Sequence, residues 1–289
     1  MWQEKYCMSR GYFVFAQGKE YIRLAYALAL SIKNTQNINQ ICIAIDPNDH
    51  MPKDYKKVFD HVVRIKNVGL KHPMQNEYQI WDLTPFKETI HVEADMIFTS
   101  NVDHWWYELR QHDLFFTSNV KDYRGHITKS NFYRRHFEKK KLPKLYNGIY
   151  YFKYSHLANK FFNKAKEVSA RYPWYAEYFF AGTWYPETPT TDEIFGITAY
   201  MLDLEYIVFS KSYSVPYFTH MKVRLQDWKQ IEAPDSENWL RYLTVNYSKK
   251  GLMVGGFQQH GPFHYQNKLF MTDKMIDTMK EIYNERRTT

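Results

Sequence analysis

The first hundred residues alternate apolar runs of strand length with helical periodicity, and this order leaves few folds open. Residues 12–16 (YFVFA) read as a buried strand, and Gln17-Gly18-Lys19-Glu20 reads as a turn. A helix then runs to about Asn34, with Ile22, Ala25, Ala29 and Ile32 on one face. Residues 40–45 (QICIAI) form a second buried strand, ended by Asp46-Pro47-Asn48-Asp49, and residues 61–65 form a short third. A helix over residues 77–83 leads to Pro85 and then to another strand. Strand, helix, strand in this order predicts an α/β fold, a mostly parallel twisted sheet with helices on both faces. Ligands of such sheets bind at the carboxyl ends of the strands. Residues 17–21, Asp46 and residues 93–95 would share that edge.

The second half is less regular. Residues 115–117, 148–152 and 206–210 have strand patterns. Ser155 is a helix cap, with Leu157, Phe161, Ala165 and Val168 forming the apolar face behind it. Thr190 opens a further helix, and Thr272 caps a last one that carries Met275, Ile276, Met279 and Ile282. There is no internal repeat or linker signal, so residues 1–289 read as one domain.

Glu93-Ala94-Asp95 carries the chemistry. Two acids at i and i+2 on extended backbone face one side, where their charges repel. A hard divalent cation relieves that conflict, and such a cation in turn holds phosphate oxygens. Two unrelated surface acids near a turn would give the same local sequence.

The flanking residues resemble the GT-A nucleotide-sugar glycosyltransferases, most closely family 8. The similarity covers about residues 11–200. Its specific part is Trp81-Asp82-Leu83-Thr84, then Glu93-Ala94-Asp95-Met96, then Asn101-Val102-Asp103. Tyr21 near the first helix start, Ser31-Ile32-Lys33 at its end, Tyr146-Asn147-Gly148-Ile149 and Thr191-Asp192-Glu193 add weaker matches. Glu93 departs from the family, which has Asp there, and its longer arm moves the carboxylate. The resemblance implies a GT-A-like fold, with a nucleotide-sugar half over about residues 1–110 and an acceptor half over about 111–289. It implies a UDP-sugar donor, Mn²⁺ or Mg²⁺, and retention of anomeric configuration in hexosyl or pentosyl transfer.

The same resemblance assigns roles. Glu93 and Asp95 would hold the metal and the nucleotide, with a histidine completing the set. His220 is the first candidate and His264 the second, with His260 behind them, and Lys222 or Lys268 would meet the diphosphate. Tyr21 would stack on the base, and Gln79 would touch the donor. Asp192 would face the transferred sugar as the catalytic carboxylate, although Thr190 and Glu193 also fit a capping box. Asn147 and Gly148 would hold the acceptor, although Asn-Gly is also a turn dipeptide. Trp81 is expected in the core.

The acceptor is read from charge. The chain has a net charge of +8, which suits an anionic partner. Residues 129–144 hold Lys129, Arg134, Arg135, Lys139, Lys140, Lys141 and Lys144, interleaved with Phe132, Tyr133 and Phe137. Cations for phosphates and rings for bases form a nucleic-acid-like combination, and a solvated basic face is the plainer reading. Trp174, Tyr175, Trp184 and Tyr185 are a second aromatic stretch, fit for a sugar pocket or for core. The pattern resembles glycosyltransferases of large bacteriophages that decorate hydroxymethylated cytosine, so duplex DNA is the expected acceptor. A lipopolysaccharide, glycan or protein acceptor is the alternative, and a non-catalytic nucleic-acid-binding protein is a third reading. Cys7 and Cys42 lie in no ligand-type spacing, and the N-terminus shows no signal peptide, which together predict a cytoplasmic location, the host's if phage-encoded.

Overall fold

The computed structural model describes residues 8–66, 69, 72–118, 120–128, 135–183, 185, 187–209, 216–221 and 239–288. Its strands are β1 (Met8–Ala16), β2 (Ile41–Ile45), β3 (His61–Arg64), β4 (Phe86–Val92), β5 (Met96–Phe98), β6 (Leu114–Thr117), β7 (Val120–Lys121), β8 (Ile127–Thr128), β9 (Tyr146–Lys153), β10 (Val208–Phe209), β11 (Thr219–His220), β12 (Val245–Ser248), β13 (Gly251–Val254), β14 (Phe257–Gln258) and β15 (Pro262–His264). Its helices are α1 (Lys19–Thr35), α2 (Lys53–Lys56), α3 (Ile80–Leu83), α4 (His104–Leu109), α5 (His156–Ala170), α6 (Tyr172–Phe180), α7 (Thr191–Met201) and α8 (Asp273–Thr288).

Among the described residues, the central sheet runs β10-β6-β9-β4-β1-β2-β3. The β4-β1-β2-β3 part is parallel, as the alternation predicts, while β9 is antiparallel to both neighbours, β4 and β6. The sheet divides two hydrophobic cores, and side chains go to them alternately along each strand. Tyr12, Val14 and Ala16 enter one core with Ile41, Ile43 and Ile45. Phe13, Cys42 and Ala44 enter the other, which α5, α6 and α7 cover. Because both faces are covered, all five residues of β2 are buried and its sequence is a continuous apolar run rather than an alternation.

The α1 helix is buried beyond the single stripe that its spacing predicts. Residues 24–32 are all buried, since β5 and α8 cover the side turned away from the sheet. Ser31 accepts the Phe98 N–H at 2.9 Å and donates to the Leu28 carbonyl at 2.7 Å, which ties α1 to β5. Asp103 accepts the N–H groups of Asn37 and Ile38 at 2.9 and 3.3 Å and the Asn101 amide at 2.8 Å. The Asn101-Val102-Asp103 motif therefore pins the end of α1.

Three local expectations change. The helix expected over residues 77–83 is a 3₁₀ segment, Pro73–Gln79, followed by the single turn of α3. The strand expected over residues 206–210 begins as a 3₁₀ turn, Glu205–Ile207. Glu93 and Asp95 lie on neither strand but in the turn between β4 and β5. That turn takes the chain from the central sheet into a second one, β5-β15-β11-β7-β8. The Ser155 cap forms, accepting the Ala158 N–H at 3.2 Å.

Candidate metal and donor site

The turn after β4 delivers two acids, and the second sheet brings the histidine to them. β15 runs antiparallel to β5 with His264 opposite Met96, so the register places the imidazole beside the residue that follows Asp95. The Tyr265 N–H donates to the Asp95 carbonyl at 3.2 Å and extends that pairing by one step. Nε2 of His264 stands 3.3 Å from Glu93 Oε2 and 3.2 Å from Asp95 Oδ1. One ligand atom from each of Glu93, Asp95 and His264 falls within a 4.8 Å group. Two carboxylate oxygens and one imidazole nitrogen suit Mn²⁺, and the oxygens alone suit Mg²⁺. Burial raises the Asp95 carboxyl, but the charge and hydrogen bond of His264, a backbone N–H and Lys268 outweigh it and hold the group below the ordinary carboxylate range.

His264 is thus the histidine that meets the acids, and His220, the first candidate, stands behind it. His220 lies across from His264 in the parallel β11–β15 pair, with ring centroids 4.6 Å apart. His260 is exposed on the turn before Gly261.

Gly148 explains how Glu93 fits where the related motif has the shorter Asp. A Cβ on Gly148 would stand 3.1 Å from Glu93 Oε2, 2.8 Å from Met96 Cε and 3.2 Å from Phe218 Cζ. Glycine leaves that volume to the longer carboxylate. The Glu93 N–H also donates to the Gly148 carbonyl at 3.2 Å.

Asn147, the next residue along β9, joins two further acids. Its backbone N–H donates to Asp192 Oδ1 at 2.6 Å, and its amide donates to Glu77 Oε2 at 2.7 Å. Burial pushes the Glu77 carboxyl up to about 8; the Asn147 and Thr191 hydrogen bonds oppose the rise and the Glu93 charge adds to it. Asp192 sits in the first turn of α7, whose capping box forms as the spacing predicts. Thr190 Oγ1 accepts the Glu193 N–H at 3.4 Å, and Glu193 Oε2 accepts the Thr190 N–H at 3.0 Å. Glu193 is fully buried and also meets His136 Nε2 at 2.9 Å and the Tyr172 hydroxyl at 2.9 Å.

The other expected residues scatter. Lys268 bonds Glu20 at 3.0 Å and lies 4.3 Å above the Tyr21 ring, so Tyr21 and Lys268 share one end of the site. Gln79 is buried and its amide serves Lys66 and Asn76. Trp81 packs at the core and stacks on Tyr154 at 5.0 Å. Lys222, Lys129, Phe132, Tyr133, Arg134 and Trp184 lie outside the described residues, as does the Arg135 side chain. Phe137, expected among the stacking rings, is instead fully buried core. Two exposed rings on α6, Trp174 and Tyr178, are parallel with centroids 6.1 Å apart. Arg171 covers Trp174 at 5.3 Å and Lys140 covers Tyr178 at 4.8 Å. Tyr175 is buried. Among the described residues, no helix is long and apolar enough to cross a membrane.

Glu77 and His136 escaped the sequence reading. Glu77 carries no motif, and only the fold brings it from the 3₁₀ segment to β9. His136 followed a basic run that drew attention to its charge.

Three solved structures of glycosyltransferases are similar to this chain. The galactosyltransferase LgtC, solved with donor and acceptor sugar analogs, matches 95% of this chain and 95% of its own, with TM-score 0.54 and 7% identity. The glycosyltransferase GlyE of Streptococcus pneumoniae TIGR4 matches 71% of this chain, with TM-score 0.44 and 12% identity, and the chain spans 45% of GlyE. The apo form of GlyE matches 74% of this chain and 47% of its own, with TM-score 0.42 and 11% identity. No family model and no curated protein sequence matches the chain. The likeness to LgtC establishes a GT-A-like fold, α/β with a parallel-rich central sheet.

Proposed function

We propose that the chain is a metal-dependent glycosyltransferase that moves a hexosyl or pentosyl group from a UDP-sugar to a hydroxyl. The meeting of Glu93, Asp95 and His264 beside the end of β4, on a GT-A-like fold, supports this reading most directly. Mn²⁺ or Mg²⁺ bound there would neutralise the diphosphate and ease its departure. Lys268 lies near enough to Asp95 to lower its pKa, which suits a second contact to the diphosphate. Tyr21 beside it offers a ring to the base. Asp192, held by the Asn147 N–H, is the carboxylate proposed to face the transferred sugar. Retention would proceed by attack of such a carboxylate from beneath the ring, or by front-face substitution with Asp192 only orienting the sugar.

The acceptor proposed is hydroxymethylated cytosine in duplex DNA. The net charge of +8 supports it, as do Lys140 and Arg171 lying over the exposed Tyr178 and Trp174 rings. A second reading, a sugar acceptor, is favoured by the acceptor sugar analog in the LgtC complex. The test is UDP release from a panel of UDP-sugars with Mn²⁺, with and without hydroxymethylcytosine DNA. Release stimulated by that DNA supports the first acceptor. Release indifferent to DNA and stimulated by a glycan supports the second. No release with any donor contradicts the transferase reading.

A further inference from the structure

Glu77 belongs to the same constellation as the metal acids and has no assigned task. Residues 147 and 148 are the link. Gly148 gives room to the Glu93 carboxylate, while Asn147, one Cα step away, donates to Glu77 from its amide and to Asp192 from its backbone. Three carboxyl groups are thereby gathered around two residues of β9. Glu77's described partners are the Asn147 amide and the Thr191 hydroxyl, both neutral. A half-buried carboxyl among other acids, answered by neutral donors among the described residues, is a poor arrangement for stability alone.

Two buried polar atoms beside it point to a ligand. Asn147 is 4% exposed, and among the described residues its Oδ1 accepts no hydrogen bond, although the same amide group is bound to Glu77 through Nδ2. The Tyr150 hydroxyl is fully buried and has no hydrogen-bond partner among the described residues, and the charges of Glu77 and Glu93 both act on it. Buried polar groups are nearly always paired, so an open acceptor at this place calls for a donor from outside the protein. The missing donors match a sugar: several hydroxyls on one rigid ring, each able to donate and accept.

We propose that Glu77 is a specificity residue that, together with Asn147 Oδ1 and Asp192, binds the hydroxyls of the transferred sugar and sets which epimer is accepted. The proposal rests on the transferase reading. A site built to bond a given hydroxyl rejects the sugar that lacks or inverts it far more strongly than an apolar pocket would, because its own polar groups are then left unpaired. Glu77→Gln keeps the shape and, through its carbonyl oxygen, the bond from Asn147. It changes what the other oxygen offers to the sugar.

The experiment measures kcat/KM for the preferred UDP-sugar, its C4 epimer and its deoxy analogs, with Mn²⁺-dependent UDP binding measured in parallel. In the wild type, removal of a recognised hydroxyl should lower kcat/KM by at least about a hundredfold. In Glu77→Gln, UDP binding should be unchanged while the ratio between epimers shifts by about tenfold or more. An equal loss on all sugars, with UDP binding kept, would make Glu77 only a clamp for Asn147 and overturn the proposal. If Glu77→Gln does not fold, wild-type indifference to the deoxy analogs overturns it as well. Failure of the wild type to bind UDP would instead bring down the transferase reading and this inference with it.

Discussion

At the scale of single residues, the site depends on one missing side chain and one misplaced-looking acid. Gly148→Ala would put a methyl group against Met96 and Phe218 and within 3.1 Å of Glu93 Oε2. We expect it to lower stability by about 1–3 kcal/mol and to weaken Mn²⁺ binding by about tenfold or more. Thermal melts with isothermal titration would show this, and unchanged metal affinity would contradict the proposed role of Gly148. Glu77 makes a prediction about pH. Its carboxyl pKa is raised from 4.5 to about 8, so the folded protein holds that proton more tightly than the unfolded chain. Stability from this group is therefore full at low pH and is lost as pH rises from about 4.5 to about 8. Glu77→Gln has no such proton, so its melting temperature relative to wild type should rise steadily over that window, by on the order of 10 °C, measured in chelator. A constant offset across the window would contradict the raised pKa. Sequence made Glu93 and Asp95 legible as a pair because they stand two residues apart. Choosing His264 over His220 required the register of β15 against β5, and no spacing encodes that.

At the scale of elements, the strands and helices that carry continuous apolar runs were legible, and those fixed by tertiary contact were not. β1, α1 and β2 were legible because they are covered on both sides and their apolar runs are uninterrupted. The 3₁₀ character of Pro73–Gln79 was not legible, because its residues are held by partners far along the chain. Gln75 donates to the Ser169 carbonyl at 2.9 Å and Asn147 to Glu77 at 2.7 Å. The antiparallel β9 was read as a strand without its direction, and that direction is what brings Asn147 and Gly148 to the turn that carries Glu93. The capping box of α7 was legible from Thr190 and Glu193 alone. Thr190→Ala should cost about 1 kcal/mol in denaturant unfolding. Because Asp192 sits in that first turn, the same substitution should also reduce turnover, and full activity in a destabilised variant would separate the cap from the site.

At the scale of the whole molecule, the two cores and the central sheet set a frame on which a second, smaller sheet closes the site. His264 enters through that second sheet, so the site joins residue 93 to residue 264 across most of the chain. In the described part of the basic segment Phe137 is core and Lys144 pairs with Glu138 at 2.7 Å, while Lys140 lies over an exposed ring of α6, Tyr178. If this face meets DNA, binding to duplex should weaken steeply between about 50 and 200 mM salt, and Trp174→Ala with Tyr178→Ala should weaken it at every salt. Salt-independent binding would contradict an electrostatic DNA surface.

The most direct measurement is a calorimetric titration of UDP in Mn²⁺ and in EDTA, for the wild type, Asp95→Asn and His264→Gln. A three-ligand cation site that holds the diphosphate predicts UDP binding in Mn²⁺, its loss in EDTA, and a weakening of at least about tenfold in both variants with folding intact. Equal UDP affinity with and without metal, or variants that bind as the wild type does, would contradict it.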